Sequence, residues 1–262
     1  MKDANITPQG SIYGTYYTEY GAWGIQTQNV TCYLLVGQEK AMLIDTAYGE
    51  GDLPALIASI TNLPLIVVNT HGHYDHTSGN AFFKEVWMGK GGEGPAGDAE
   101  KRTKLPYPDY EIHSLEDGQI FDLGGRQVEA IAIGAHHVSS FAFLDKKEKS
   151  LYTGDEIEAA QVLLNVRGDD LGYKEVAKLH LANMKKLKQR EAEFQRMLPA
   201  HNGGPLSNEY LDDFIALSER ILEDKVEPCD TVAGFGWPNF IMGGDKELMR
   251  LRYGKASFVC KR

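Results

Sequence analysis

The sequence is poor in cysteine, in positive charge and in long apolar runs. Its three cysteines, Cys32, Cys229 and Cys260, form no CxxC pair and no even disulfide set, which favours a reducing compartment. The net charge of −10 argues against nucleic acid or an anionic membrane as a partner. No apolar run approaches the ~20 residues that span a bilayer, and the amino-terminal segment lacks the apolar core of a secretory signal. We therefore expect a cytoplasmic protein.

The most informative stretch contains three histidines and one aspartate within six residues, directly after an apolar run at 65–68. These residues are His71, His73, Asp75 and His76. In a chain of this composition the pattern His-x-His-x-Asp-His should arise by chance in roughly one of 2,000 sequences, so it predicts a real metal site. Imidazole and carboxylate ligands together suit Zn, Fe or Mn. Because four ligands so close in sequence cannot all reach one ion with good geometry, we expect two ions.

Further ligands must come from other parts of the chain. Four candidates follow predicted strands, so that their side chains can reach a common rim: His136, His137, Asp155 and His201. By contrast, His113 lies in a predicted polar loop and His180 in an amphipathic helix, where surface or core-edge positions are the simpler interpretation.

Hydrophobic periodicity predicts alternating strands and helices. Residues 1–30 indicate short strands at a sheet edge. Helices are expected at 52–62, with Asp52 as N-cap and Pro54 in the first turn, and at 78–86, 173–190 and 208–223. Strands are expected at 33–36, 41–44, 65–69, 120–123, 127–133, 141–144, 151–153, 197–198 and 256–260.

Two parts of the chain have the same order of elements. In each, two strands end at an aspartate (Asp45, Asp155), and a helix and a strand then lead to a histidine (His71, His201). This order predicts two sheets flanked by helices, with a site at the edge between them. We expect one domain over residues 1–262 that carries a glycine-rich loop insertion near 89–112. Such a loop is either a binding loop or a surface insertion without a role.

Five blocks, in order along nearly the whole chain, carry a family resemblance. They are Leu43-Ile44-Asp45-Thr46; Thr70 to His76 with Gly79; Ala135-His136 with Ser140 to Leu144; Leu151 to Asp155; and Leu198 to His201. In these blocks the sequence resembles the metallo-β-lactamase-fold hydrolases, particularly the glyoxalase II-like branch. The resemblance implies an α/β fold, a four-layer αββα sandwich in which helices flank two mixed sheets.

The resemblance also implies a ligand set. His71, His73 and His136 would bind the first metal, Asp75, His76 and His201 the second, and Asp155 would bridge them. Asp45 matches a position that steadies the ligand loop, although it could instead cap the following turn. The chain has Ala135-His136-His137 where the family usually has Gly-His-Thr, so His137 is either a replacement ligand or a neighbour of the site.

The expected function is a dinuclear metal-dependent hydrolase acting on an ester, thioester or lactone carbonyl of a small molecule. Two divalent ions, Zn before Fe or Mn, would hold a bridging hydroxide, and Asp75 would orient it and pass its proton to the leaving group. The alternatives are a mononuclear iron sulfur dioxygenase, a β-lactamase, and a nuclease or phosphodiesterase of the same fold. The residues do not identify the substrate or the oligomeric state.

Overall fold

The strands that the structure describes form three sheets. The structure is a computed structural model, and it describes residues 12–92, 102–164, 170–229 and 248–261. The first sheet has seven strands in sequence order: β1 (Gly14–Tyr17), β2 (Ala22–Thr27), β3 (Val30–Val36), β4 (Ala41–Ile44), β5 (Leu65–Val68), β6 (Glu85–Met88) and β7 (Glu111–Ser114). Neighbouring strands are antiparallel as far as β4 and parallel from β4 to β7.

The second sheet has the order β13-β11-β10-β9-β8. Its strands are β8 (Ile120–Asp122), β9 (Gln127–Ala132), β10 (Phe141–Asp145), β11 (Ser150–Gly154) and β13 (Arg196–Pro199). Only the β11–β13 pair is parallel. A third, small sheet joins β12 (Val162–Leu163) and β14 (Leu248–Tyr253) to opposite edges of β15 (Ala256–Lys261).

Helices form the crossover connections in two of the parallel strand pairs, β4–β5 and β11–β13. Helix α1 (Leu53–Ile60) joins β4 to β5, and α3 (Tyr173–Lys188) lies between β11 and β13. A one-turn helix, α2 (Tyr74–Thr77), follows β5, and α4 (Glu209–Leu222) follows β13. The predicted cap of α1 is confirmed, since the Asp52 side chain accepts a hydrogen bond from the Ala55 N–H at 3.0 Å. Among the described residues, no helix is both long and apolar enough to cross a bilayer.

Alternating side chains of the central strands separate the layers. In β3, Leu34 packs with α1 on one face of the first sheet, whereas Tyr33 points to the opposite face. In β10, Phe143 meets Tyr33 between the two sheets, and Leu144 packs with α3 and α4 on the far side. Because both faces of these strands are buried, they read in the sequence as continuous apolar runs. The layers are therefore helix, sheet, sheet and helix, and the predicted αββα fold is confirmed.

A buried ion pair ties the two sheets together at one edge. Arg126 donates to the Asp145 carboxylate at 2.8 Å through Nε, and Nη1 donates to the Gly21 carbonyl at 2.7 Å and to the Val36 carbonyl at 3.2 Å. Asp145 is fully buried and Arg126 nearly so. One guanidinium therefore links the β9–β10 hairpin to the first sheet.

Two sequence predictions were wrong. Residues 78–86 are not a helix, because a 3-10 turn (Asn80–Phe82) is followed directly by strand β6. His113 lies in β7 and not in a loop, so strand structure begins inside the expected insertion at 89–112. Residues 93–101 of that insertion lie outside the described residues.

Candidate dinuclear metal centre

The predicted ligands come together at one edge of the two sheets, where strands end. His71 follows β5, and the short helix α2 then carries Asp75 and His76, with His73 as its N-cap. The other three ligands follow strands of the second sheet: His136 after β9, Asp155 after β11 and His201 after β13. Adjacent residues in a helical turn point in directions about 100° apart, so α2 allows Asp75 and His76 to approach one point from different sides.

Three imidazole nitrogens converge in the first cluster. His73 Nδ1 lies 2.9 Å from His71 Nε2 and 3.1 Å from His136 Nε2. Asp155 Oδ2 is 3.8 Å from His71 Nε2 and 3.6 Å from His136 Nε2. Zn–N bonds of about 2.0–2.1 Å in a tetrahedral site place nitrogens roughly 3.3 Å apart. The donor atoms of this cluster therefore fit one tetrahedral ion.

The second cluster adds two carboxylates to two imidazoles. His201 Nε2 is 3.3 Å from His76 Nε2 and 3.3 Å from Asp75 Oδ2. Asp155 Oδ1 lies 3.3 Å from His76 Nε2 and 3.5 Å from His201 Nε2. This Oδ1 atom is buried, and no group of the described residues has the geometry of a hydrogen-bond donor to it. Because a buried carboxylate oxygen without a partner is costly, a cation between these ligands fits the donor set.

Hydrogen bonds behind the histidines aim their Nε2 atoms at the clusters. The Nδ1 atoms of His136 and His201 lie 2.7 Å and 2.6 Å from the carbonyl oxygens of Leu163 and Asn29. A donor bond from Nδ1–H to a carbonyl fixes the tautomer that leaves the Nε2 lone pair for a metal. Three of the imidazoles, counting His76 below, thus have Nδ1 beside a hydrogen-bond acceptor and Nε2 turned towards the clusters.

Asp45 supports histidines of both clusters. Its Oδ2 lies 2.8 Å from His76 Nδ1 and accepts a hydrogen bond from the Thr70 hydroxyl at 2.8 Å, and its Oδ1 accepts from the Thr70 N–H at 2.7 Å. Thr70 Oγ1 in turn lies 3.1 Å from His71 Nδ1. Asp45 therefore contacts His76 directly and His71 through Thr70, which is a larger role than capping a turn.

The electrostatics differ between the two clusters. Burial, together with the charge of neighbouring histidines, holds the pKa of His71 well below its usual value and lowers that of His136 to about 3. Burial alone would also lower the pKa of His201, but the charge of Asp155 and a hydrogen bond with Asp75 raise it to about 10. The histidines of the first cluster are therefore neutral, whereas the carboxylates of the second cluster favour positive charge there, carried either by protons on His76 and His201 or by a cation.

The comparisons with known proteins identify the family. Residues 26–226 match the family model described as the metallo-beta-lactamase superfamily. The chain belongs to the metallo-β-lactamase superfamily. The predicted family is thus confirmed, whereas the glyoxalase II-like branch stays a prediction.

Solved metallo-β-lactamases share this fold. The chain superposes on a metallo-beta-lactamase from Pontibacter korlensis with a TM-score of 0.58 and 19% identity, covering 79% of this chain and 99% of that one. It superposes on the metallo-beta-lactamase FIM-1 from Pseudomonas aeruginosa, in its mono-zinc form, with a TM-score of 0.60 and 16% identity, covering 82% and 98%. At these identities the likeness shows the fold alone.

Thioesterases are among the curated proteins whose sequences are similar to this chain. An atrochrysone carboxyl ACP thioesterase of Aspergillus fumigatus is 26% identical over 137 residues, which cover 51% of this chain and 41% of the relative. The acyl-coenzyme A thioesterase MBLAC2 of Gallus gallus is 24% identical over 156 residues, which cover 48% and 56%. The chain thus spans about half the length of the curated relatives it matches.

The structure places the side chain of His136, and not that of His137, in the first cluster of candidate ligands. His137 Nδ1 lies 2.8 Å from the Ser139 hydroxyl, and the His137 ring centroid is 4.8 Å from that of His73. His137 therefore lies beside the first cluster. His180 lies on a helix as predicted, but it is fully buried in the core and not at its edge, and its Nε2 lies 3.0 Å from the Glu156 carbonyl oxygen.

Two functional carboxylates escaped the sequence analysis. Glu156 is fully buried and accepts hydrogen bonds from the backbone N–H groups of Ala135 at 2.9 Å and His136 at 3.0 Å, so it holds the His136 loop. Burial and the charge of Asp155 raise the pKa of Glu158 to about 8. The only sequence signal for either residue is the acidic run that begins at Asp155 after a predicted strand.

A cavity of about 530 Å³ opens onto both clusters. Its lining includes His73, Asp75, His136, Asp155 and His201 from the clusters. Around them lie Gln26, Asn29, Tyr74, Glu158, Gln161, Leu163, Asn202 and Gly203. The volume falls in the range of about 300–1,000 Å³ that is usual for small-molecule sites.

Proposed function

We propose that this chain is a dinuclear metal-dependent hydrolase that cleaves thioesters of small molecules. The observation that carries the proposal is the position of Asp155, whose two carboxylate oxygens face different histidine clusters at the floor of one cavity. The thioesterases among its relatives favour a thioester over an ester or a lactone.

In this proposal seven residues hold two divalent ions. The first ion would be bound by His71, His73 and His136, the second by Asp75, His76 and His201, and both by Asp155. We propose zinc, because a set of imidazoles and carboxylates suits it, with iron and manganese as the metals to be tested against it. When bound, such ions supply a Lewis acid for the carbonyl oxygen and lower the pKa of a coordinated water towards about 7.

Asp75 is the residue of this chain that we propose to move the proton. Asp75 lines the cavity. Burial by itself would raise the pKa of its carboxyl group, but the charge of His76 and a hydrogen bond with His201 outweigh burial and keep the pKa below its usual value. An ionised Asp75 can orient the attacking water, take up its proton and pass it to the departing sulfur. The products are then a carboxylic acid and a thiol, and no serine or cysteine nucleophile is required.

The cellular compartment of the enzyme is also part of the proposal. Cys32, Cys229 and Cys260 are all free thiols, which fits a reducing compartment. We therefore place the enzyme in the cytoplasm, with a small acyl thioester as its substrate.

The decisive experiment combines metal analysis with a substrate panel. The metal-loaded protein is assayed on acyl thioesters, simple esters, lactones and a β-lactam, and metals are counted in the same preparation. Two metals per chain and fastest turnover of thioesters are expected. The H73A variant should lose hydrolysis and one metal, whereas H113A, which changes a histidine on strand β7, should behave as the wild type.

Other outcomes would replace the proposal. One iron per chain with oxygen consumption on a persulfide would favour the dioxygenase, and fastest turnover of the β-lactam would favour a lactamase. Unchanged thioester hydrolysis in H73A would show that the histidine clusters are not the active site.

A further inference from the structure

Glu158 is a buried carboxylate beside the metal centre that the proposed reaction does not use. It lies three residues after Asp155 and lines the same cavity, although only 5% of the residue is exposed. A carboxyl group in such a place is costly unless it is hydrogen bonded. Its position therefore calls for a partner.

The part of the chain that the structure describes supplies a hydrogen-bond partner for only one of the two Glu158 carboxylate oxygens. Asn202 Nδ2 donates to Glu158 Oε2 at 2.6 Å, and this bond joins the loop after β11 to the loop after β13. Within the described ranges, no residue hydrogen bonds to Oε1. The hydrogen bond with Asn202 thus engages Oε2, and Oε1 can accept a hydrogen bond from, or donate one to, a molecule bound in the cavity.

The other residues that line the cavity restrict which molecules can bind there. Asn202, Gln161 and Gln26 offer uncharged hydrogen-bonding groups, and Leu163 and Tyr74 offer apolar surface. An acyl group with a polar substituent on a short carbon chain would match this mixture. Because Glu158 lies outside both ligand clusters, its partner on the substrate is a group other than the scissile carbonyl.

We propose that Glu158 determines specificity by hydrogen bonding through Oε1 to an oxygen substituent at C3 of the acyl group. The substrates are then 3-hydroxyacyl or 3-oxoacyl thioesters. A hydroxyl can donate to the carboxylate or accept from the carboxylic acid, and a keto oxygen can accept from the acid. This inference rests on the proposed thioester hydrolysis.

Acyl preference of the wild-type protein is the first test. The N-acetylcysteamine thioesters of 3-hydroxybutyrate, acetoacetate and 3-methylbutyrate differ at C3 by a hydroxyl, a keto oxygen and a methyl group of similar size. We expect kcat/KM for at least one oxygenated substrate to exceed that for the 3-methylbutyryl thioester by about tenfold or more. The first two substrates distinguish the hydroxyl from the keto class.

Two substitutions at Glu158 separate recognition from structure. E158M removes the hydrogen-bonding group, so the preference for the oxygenated acyl group should fall about tenfold, mainly through KM. E158Q keeps a hydrogen-bonding atom at both side-chain terminal positions, so it should retain most of the preference. The exposed residue Glu116 provides a matched control, and E116Q should behave as the wild type. A purely structural role would lower all rates together and leave the ratio unchanged.

The outcomes of these assays distinguish the role of Glu158 from the proposed thioester hydrolysis. If the wild type hydrolyses all three thioesters equally, or if E158M keeps the wild-type ratio, the role of Glu158 is refuted and the hydrolase proposal stands. If no thioester is hydrolysed, the proposed function fails. Calorimetric binding of the same thioesters to the wild type and E158M then tests Glu158 separately, and equal affinities would refute its role.

Discussion

Replacing Asp45 by asparagine tests whether the metal centre depends on a carboxylate that lies behind the ligands. The Asp45 carboxylate is buried and contacts three potential donors: the Thr70 N–H, the Thr70 hydroxyl and His76 Nδ1. Asparagine has the same shape but replaces one oxygen by an NH₂ group. Whichever way the amide is oriented, it sets a donor against at least one of these groups.

The expected loss of stability depends on how many buried donors lose their acceptor. Alanine would leave up to three buried donors unpaired, at about 1–3 kcal/mol each, which approaches the total stability of about 5–15 kcal/mol of an ordinary domain. D45N loses about one such contact, so we expect a loss of about 1–3 kcal/mol in the free energy of unfolding. Without the carboxylate, His76 can shift its proton to Nε2, where it blocks the lone pair. We expect the second-site metal affinity to fall about 10- to 100-fold.

The assay is a metal titration against a competing chelator, with the metal content determined separately. The affinity of the second site should fall more than that of the first, because Asp45 reaches His76 directly and His71 only through Thr70. Asp52 provides the control: it is exposed and caps α1, and asparagine is an equally good cap, so D52N should change neither stability nor affinity. Unchanged affinity at both sites in D45N would refute the role of Asp45 in fixing the histidine tautomer.

Three further substitutions test other parts of the fold and site. E156A removes the acceptor of the His136 N–H and should weaken the first metal site about tenfold or more in the same titration, while an unchanged affinity would show that the loop holds itself. R126M leaves a buried carboxylate unpaired and should lower the urea unfolding free energy by about 3–5 kcal/mol without changing metal content. Hydrogen bonds from Arg190 lower the pKa of Glu129 to about 2 from 4.5, so its contribution to stability is present above pH 4.5 and is lost as the pH falls towards 2. The unfolding free energy of E129Q should therefore depend less on pH in this window, and an equal dependence would contradict the assignment.

The parts of the fold that the sequence predicted are those set by local patterns. The hairpins formed by β3–β4 and β10–β11 were recognisable because buried strands read as apolar runs around a polar turn. The helix after Asp52 carries its own cap. The same patterns indicated candidate ligands, since each candidate comes soon after a strand and the ends of strands meet at one edge, whereas the choice of His136 over His137 and the division between two ions came from the family resemblance.

The parts that were missed depend on contacts distant in sequence. Helical spacing of Phe82, Phe83 and Val86 wrongly predicted a helix, because nine residues are too few to separate a helix from a turn and a strand. The third sheet pairs a two-residue strand at Val162–Leu163 with β15, almost 100 residues later, and no local signal marks that pairing. Glu156 and Glu158 have roles only because the fold brings the His136 loop and Asn202 to them.

The repeated order of elements explains why two similar aspartates have different roles. Asp45 follows β4 and Asp155 follows β11, and in both halves the next strand along the sheet is parallel and leads to a histidine ligand. The two halves differ in which residue has the left-handed backbone conformation. In the first half it is Asp45 itself, with φ 66°, and in the second half it is Gly154, with φ 54°, one residue before Asp155. A bulge between Tyr152 and Gly154 accompanies that difference. With the turn moved by one residue, one carboxylate faces Thr70 and His76 behind the ligands and the other faces the cavity. Gly154 is suited to this turn, because a Cβ atom there would lie 2.7 Å from Thr70 and would displace the residue that Asp45 holds.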